Sequence, residues 1–354
     1  MRLKVVFLAD CLITQKAGIH YYTKQFIKRT IAAYPSHDYY MVVPEHYQHI
    51  DIQQVIIPIK SNIPFHLRLR NIWHIPNQLN KLNVDVAIEM AHFGPFRLSK
   101  KTKRVTIIHD LTPLIHPQWH DKISTYVHMI FLKRILRNAN HIIANSQFTS
   151  KAITKYLPSV QKKVSVSYPS LSTIEINHKE SDNNDVYFLS VGTIEPRKNY
   201  SALIRAFNKV AQRDDNIKLV IIGFKGWKSE PVFDLIDKSD YKNRILIKGY
   251  VSELELIQYY NNALAFIFPT HYEGFGIPLL EAMMLGSLII CSDLEICREV
   301  CADSAIYFKD TDELAFYMQN VLNSPGDYIE YKTKSINRAH HFNNQKINLD
   351  HILS

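Results

Sequence analysis

Short apolar or β-branched runs alternate with amphipathic segments of helical period along the whole chain. In the first half LKVVFLA, YYMVV, QVIIPI, VDVAIEM, VTIIHD and HIIANS read as strands; in the second half VYFLSVG, IKLVIIG, RILIKG, LAFIFPT, SLIICSD and AIYF do. Between them lie helices such as SALIRAFNKVAQR, where Leu203, Phe207 and Val210 recur at three-to-four spacing and mark one buried face. Continuous apolar strands separated by helices predict parallel sheets covered on both faces. Two consecutive sets predict an α/β protein of two doubly wound domains, and 354 residues exceed what one core ordinarily holds. The boundary falls in SYPSLSTIEINHKESDNND, residues 167–185, the longest stretch rich in Pro, Ser, Asn and Asp without a period. That sets the domains at residues 1–170 and 171–354, with RAHHFNNQKINLDHIL read as a terminal helix. In such sheets ligands bind beyond the carboxyl ends of the strands. Function is therefore sought just after each strand, and in a cleft between the two domains.

Composition changes this picture in two respects. The net charge of +9 hides an asymmetry: residues 1–170 hold 23 Lys+Arg against 8 Asp+Glu, whereas the rest hold 19 against 25. A first half of net +15 points to an anionic partner: nucleic acid, a phosphate-bearing ligand or an acidic membrane surface. A solvated basic surface is the plainer alternative. The four cysteines, Cys11, Cys291, Cys297 and Cys301, form no C-x-x-C pair. Buried free thiols in a reducing cytosol fit them better than a structural zinc. No apolar run approaches the ~18 residues of a membrane span. The opening MRLKVVFLAD meets Asp10 at once, reading as a first strand rather than a signal peptide.

Two stretches carry chemistry. In HYEGFGIPLLEAM, residues 271–283, Glu273 and Glu281 stand eight apart at the junction of a strand and a helix. Pro278 suits the first turn of that helix, where its missing N–H has no helical partner, and Glu281 is expected in the same turn. Gly274 and Gly276 let the backbone come close to a ligand, and the free N–H groups of loop and helix start form a donor cluster. Two carboxylates flanking it would accept from vicinal hydroxyls such as those of a sugar and a ribose. A lone Glu281 would be only a residue favourable to the helix dipole. The second stretch is SVGTIEPRKNYSALI: a strand ending at Gly192, a loop with Arg197 and Lys198, and Asn199 as a candidate N-cap. Two cations beside a helix start suit a diphosphate, Arg through its fork and Lys as a point charge.

EGFGIPLLE with EPRKN, IIHD at residues 107–110 and NSQFTSKAI at residues 145–153 resemble the GT-B glycosyltransferases of family 4 over nearly the whole chain. The resemblance implies two Rossmann-like domains facing a central cleft and a retaining transfer of sugar from a nucleotide-diphosphate donor. It implies that Glu273 lies against the donor sugar's hydroxyls beside the N–H groups of Gly274, Phe275 and Gly276. Glu281 would take the ribose, Arg197 and Lys198 the diphosphate in the loop that follows Gly192, and the nucleobase would lie near Gly249, Tyr250 and Val251 and near Phe224. His109 would face the anomeric region, and Gly18 would open a helix near the diphosphate. The wording of HDLTPLIHP and EPRKN is mannosyltransferase-like and implies GDP-mannose as donor. The chain departs from the family pattern at Ala17, in a loop assigned to the acceptor, and in the run Met284–Leu288.

The sequence Asp310-Thr311-Asp312 spells the D-x-D of metal-dependent transferases of another fold, but it precedes ELAFYMQNVL, and Asp312 reads as a helix N-cap. No metal or other cofactor is expected. The acceptor is expected to be a saccharide, growing on a cell-surface polysaccharide or linked to lipid. The enzyme is expected in the cytoplasm, peripheral on the inner membrane. FHLRLRNIWHIPNQL, with Phe65, Leu67, Leu69, Ile72, Trp73, Arg68 and Arg70, and the run Lys100-Lys101-Thr102-Lys103-Arg104 are the candidate contacts with an anionic bilayer. Against a nucleic-acid-binding protein stands the lack of any recognised motif or stacking platform in the basic half. Against an NAD-dependent oxidoreductase stands Leu8-Ala9-Asp10-Cys11 where a G-x-G-x-x-G would follow the first strand. A noncatalytic sugar-nucleotide-binding relative is the remaining alternative.

Overall fold

The computed structural model describes residues 2–15, 18–60, 69–92, 97–171 and 186–354. The chain divides into two compact units, one of Met1–Ser170 with Gln345–Ser354 and one of Leu171–Asn344. Among the described residues the first unit holds seven strands: β1 (Lys4–Leu8), β2 (Asp38–Val43), β3 (Gln53–Ile56), β4 (Val86–Glu89), β5 (Lys103–Ile108), β6 (His141–Ala144) and β7 (Val164–Val166). They pair in parallel in the order β3-β2-β1-β4-β5-β6-β7. The second unit holds β8 (Tyr187–Val191), β9 (Lys218–Ile222), β10 (Ile245–Lys248), β11 (Ala265–Phe268), β12 (Ile289–Ser292) and β13 (Ile306–Phe308). These too are parallel, in the order β10-β9-β8-β11-β12-β13.

Both sheets are covered on both faces, which is why their strands read as continuous apolar runs. Val5 and Phe7 of β1 pack with Tyr22, Phe26 and Ile27 of the helix Gly18–Ala33, while Val6 and Leu8 pack on the other face with Ile75 and Leu79 of the helix Ile75–Lys81. In the second unit Leu203, Phe207 and Val210 of the helix Tyr200–Ala211 are buried against Phe188, Leu219 and Ile221. The expectation of two doubly wound parallel sheets is met. β7, three half-buried residues at a sheet edge, has no apolar run by which the sequence announces it.

Each strand order reverses direction once, between β1 and β4 in the first unit and between β8 and β11 in the second. The crevice at such a switch point is where the two flanking loops part to opposite faces. Arg197 and Lys198 follow β8, and Glu273 follows β11.

The tail departs from expectation. It is two helices, Ile329–Asn343 and Asp350–Leu353, and its last ten residues belong to the first unit rather than to the second. Ile347, Leu349, Ile352 and Leu353 are buried in the core around Val5 and Phe26. Ile347 and Leu349 alternate instead of recurring at three-to-four spacing, so this stretch buries apolar groups without continuing the helix.

Candidate active site

The chain leaves β8 at Gly192, whose φ of +146° is ordinary only for glycine. The Tyr200 hydroxyl donates to the Gly192 carbonyl at 2.8 Å. A Cβ on Gly223, after β9, would stand 2.0 Å from that same oxygen, so the exits of β8 and β9 approach this closely only with glycine there. Pro196–Lys198 then forms a single tight turn before the helix Tyr200–Ala211. Asn199 makes no side-chain cap, contrary to expectation. It serves through its backbone, at φ +52° and ψ +38°, a left-handed conformation that asparagine tolerates better than most residues.

The loop after β11 is stitched to this turn. The Arg197 carbonyl accepts from the His271 N–H at 2.8 Å and from the Thr270 hydroxyl at 3.1 Å. The result is a compact charged cluster. Arg197 Nη1 stands 2.5 Å from Glu273 Oε2, and Lys198 Nζ stands 2.6 Å from Glu273 Oε1. The same Thr270 hydroxyl, with one proton to give, also lies 3.2 Å from Glu273 Oε1, and the Lys198 ammonium lies 5.1 Å from the centre of the Phe268 ring. Arg197 Nη2 is 2.6 Å from Glu195 Oε1. All three ionised side chains of the Arg197–Lys198–Glu273 cluster are less than a fifth exposed. Burial acts to raise the Glu273 carboxyl, but the charges of Arg197 and Lys198 outweigh it and hold the group below its ordinary range.

Glu281 sits one turn into the helix Ile277–Met284 rather than in its first turn, which holds Pro278. Gly276 precedes the helix at φ +95°, a conformation closed to most side chains. The Tyr260 hydroxyl donates to Glu281 Oε2 at 2.9 Å. Burial pushes the Glu281 carboxyl up to about 7, with the Tyr260 hydrogen bond pulling the other way. The Phe275 ring is buried edge-on against Phe342, their centroids 5.4 Å apart, so Phe275 has its backbone rather than its ring to offer a ligand.

Beyond β9 and β10 an aromatic platform stands in solvent. Phe224 and Tyr250 are stacked, centroids 6.2 Å apart and planes within 15°, and both are more than half exposed. Val251 follows, half-buried, and a Cβ on Gly249 would meet nothing within 4 Å. An exposed ring of such a pair can stack a further planar group.

His109 and Gly18 lie in the first unit, Gly18 opening the helix Gly18–Ala33 and His109 directly beyond β5. His109 is buried, and burial lowers its pKa. Its Nε2 lies 2.8 Å from the Met90 carbonyl, an acceptor only, so that nitrogen carries the proton. Its backbone N–H donates to His92 Nε2 at 2.7 Å. The neutral ring is thus held with Nδ1 as its acceptor.

Several groups escaped the sequence reading. Glu195 stands within the quoted EPRKN, and its Oε2 is buried without a hydrogen-bond partner among the described residues. Tyr260 and Thr270 orient the two glutamates, yet neither lies in a motif. Asp10 follows β1, gripped at both oxygens by the guanidinium of Arg70, which is wholly buried and also donates to the Ile57 carbonyl at 2.8 Å. At the end of β4, burial pushes the Glu89 carboxyl up to about 8.

Two expectations are corrected. Asp310, not Asp312, caps the helix Thr311–Asn323, accepting from the N–H groups of Asp312 and Glu313, while Asp312 pairs with Lys209. Of the candidate bilayer contacts, Arg70 is wholly buried and cannot serve. Arg70 is spent on Asp10, Lys103 donates to the Ile352 carbonyl, Arg104 to the Leu98 carbonyl, and Trp73 is covered on one face by Arg97. Leu69 is exposed and Ile72 half-buried, while Phe65, Leu67 and Arg68, like Ala17, lie outside the described residues.

Two doubly wound parallel units, with a charged cluster at the switch point of the second, define the GT-B class of transferase. A family model described as Glycosyl transferases group 1 matches residues 172–342, and one described as Glycosyltransferase Family 4 matches residues 18–173. The chain belongs to this family and is a glycosyltransferase. It is 27% identical over 280 residues to the O-antigen chain mannosyltransferase RfbU of Salmonella typhimurium, covering 76% of each chain. It is likewise 27% identical over 234 residues to O-antigen chain mannosyltransferase B of Escherichia coli, covering 62% of this chain but only 61% of that protein, under two thirds of its length. Among solved structures, Anabaena HepE in complex with UDP-glucose superposes with a TM-score of 0.71 at 15% identity, over 98% of this chain and 96% of that one.

Proposed function

We propose that the protein transfers mannose, with retention of anomeric configuration, from GDP-mannose to a hydroxyl of a saccharide acceptor. The acceptor is a growing cell-surface polysaccharide or a lipid-linked saccharide met at the cytoplasmic face of the inner membrane. The observation that carries the reading is the cluster of Arg197, Lys198 and Glu273 at the switch point, with the Phe224–Tyr250 platform beyond the adjacent strands. The choice of mannose follows the two O-antigen mannosyltransferases among the relatives.

In this reading the nucleobase stacks on Tyr250 and Phe224, with Val251 beside it, the ribose hydroxyls donate to Glu281, and the diphosphate meets Arg197 and Lys198 near Gly192. Donor hydroxyls replace one or both cations as partners of Glu273, beside the N–H groups of Gly274, Phe275 and Gly276. As the bond from C1 to the β-phosphate oxygen breaks, negative charge builds on that phosphate. Cations fixed in place stabilise this charge more than the ground state. The acceptor oxygen bonds C1 from the same face, and its proton passes to the departing phosphate. Glu273 is tied to two cations, which suits recognition better than nucleophilic attack. The two cations supply the charge that a divalent ion would, so the reaction is proposed to run without a metal.

The test is a panel of nucleotide-sugars scored by thermal stabilisation, donor hydrolysis and transfer. GDP-mannose should stabilise the protein most and be hydrolysed slowly without acceptor. A preference for a uridine-linked sugar would reject the mannose assignment, and silence across the panel would reject the donor site.

A further inference from the structure

Among the described residues, the helix Lys122–Asn138 of the first unit carries more exposed large apolar side chains than any other element. One side is ordinary core: Leu132 and Leu136 are buried with Ile108, Leu111, Ile142 and Ile153. The other side is not. Ile123 is 70% exposed, Tyr126 66%, Met129 58% and Ile130 63%. At about 100° per residue these four share an arc of about 140° with Lys122, Lys133, Arg134 and Arg137, all of them exposed. The helix contains no acidic residue. The outward face is therefore apolar toward its start and cationic toward its end.

We propose that this face docks the protein on an anionic lipid surface. The charge pattern selects the occupant. Apolar side chains next to cations, with no carboxylate among them, match a layer whose acyl boundary lies just beneath negative phosphates. The surrounding half of the chain, residues 1–170, carries 23 Lys+Arg against 8 Asp+Glu, so the wider field has the same sign. A second copy fits less well. Parallel pairing of two such helices would set cation against cation, and antiparallel pairing would bury Lys133, Arg134 and Arg137 against bare apolar groups. The surface differs from the one the sequence suggested, where Lys100, Lys101 and Lys103 are exposed but the Lys103 ammonium is engaged by the Ile352 carbonyl and Arg70 is buried. It gives the lipid-linked acceptor reading a physical location, although membrane binding is measured without turnover and stands or falls by itself.

The experiment is sedimentation of the full chain with vesicles of phosphatidylcholine alone and of phosphatidylcholine with an equal part of phosphatidylglycerol. The protein should pellet with the anionic vesicles only, and salt should release it. Lys133→Gln/Arg134→Gln/Arg137→Gln should weaken partitioning roughly a hundredfold, since each basic residue near the surface contributes roughly fivefold. Ile123→Ser/Tyr126→Ser/Ile130→Ser should also abolish pelleting, whereas Lys100→Gln/Lys101→Gln should change it little. These side chains are exposed, so unfolding temperature and stabilisation by GDP-mannose should match the parent in every variant. A parent that stays in the supernatant with anionic vesicles at low salt overturns the proposal. So do helix variants that pellet like the parent, or a parent that scatters light as a dimer, becomes monomeric in the serine variant and ignores vesicles. Pelleting without stabilisation by any nucleotide-sugar would instead leave the docking face intact and reject the donor assignment.

Discussion

The ammonium of Lys198 and the carboxylate of Glu273 stand 2.6 Å apart across 75 residues of sequence. Arg197 holds the other oxygen of the same carboxylate at 2.5 Å. The groups proposed for the diphosphate and for the sugar thus neutralise one another. On the proposed function, an anionic donor would compete with Glu273 for these cations, and its hydroxyls would then take up the carboxylate.

Glu273→Gln should damage both stability and turnover. It leaves two nearly buried cations without their shared partner, a loss of about 3–5 kcal/mol when a buried pair is broken from one side. Urea unfolding should show the loss directly. A variant as stable as the parent would mean that water reaches Arg197 and Lys198 freely.

Arg197→Ala and Lys198→Ala should each remove roughly 2–4 kcal/mol of transition-state stabilisation, read as kcat/KM for transfer. Because both act on one carboxylate and one diphosphate, the double variant should lose less than the sum. Near-normal turnover in both folded single variants would reject the assignment.

Donor affinity should rise with pH through about 7. Burial sets the Glu281 carboxyl at about 7 against an ordinary 4.5, and only the ionised form accepts from two ribose hydroxyls. The sign for folding is opposite. Between about 4.5 and 7 the folded chain binds more protons at this group than the unfolded one, so its contribution to stability falls as pH rises through that window. Titration calorimetry with GDP-mannose across this range checks the first effect, and Glu281→Gln should flatten both.

Tyr250→Ala should weaken nucleotide binding without lowering stability, because the ring is 66% exposed and supports no core. Stacking of a base on one aromatic ring is worth about 1–3 kcal/mol. Equal affinity for GDP in parent and variant would move the nucleobase elsewhere.

Transfer should continue in excess chelator. The motivation is that Asp310 is committed to a helix start and Asp312 to Lys209, while two cations face the proposed diphosphate position. Complete loss of activity restored by magnesium or manganese would contradict it.

The sequence by itself determined every described strand but β7, the two-sheet architecture and the two stretches around Arg197 and Glu273. Apolar runs, helical period and Gly/Pro punctuation are local properties, and a strand buried on both faces must show them. It could not determine which side chains meet. Lys198 reaches Glu273 because β8 lies beside β11 in the sheet, although β9 and β10 intervene in the chain. Tyr260 reaches Glu281 from a different helix, and Arg70 disappears into the first unit to hold Asp10 at the end of β1. Neither arginine nor tyrosine announces its burial, since the same letter serves on a solvated face. The tail shows the same limit: Leu349 and Leu353 are apolar in either unit, and only packing assigns them to the first. Local pattern fixes elements, whereas burial and partners follow from strand order, which is a property of the whole fold.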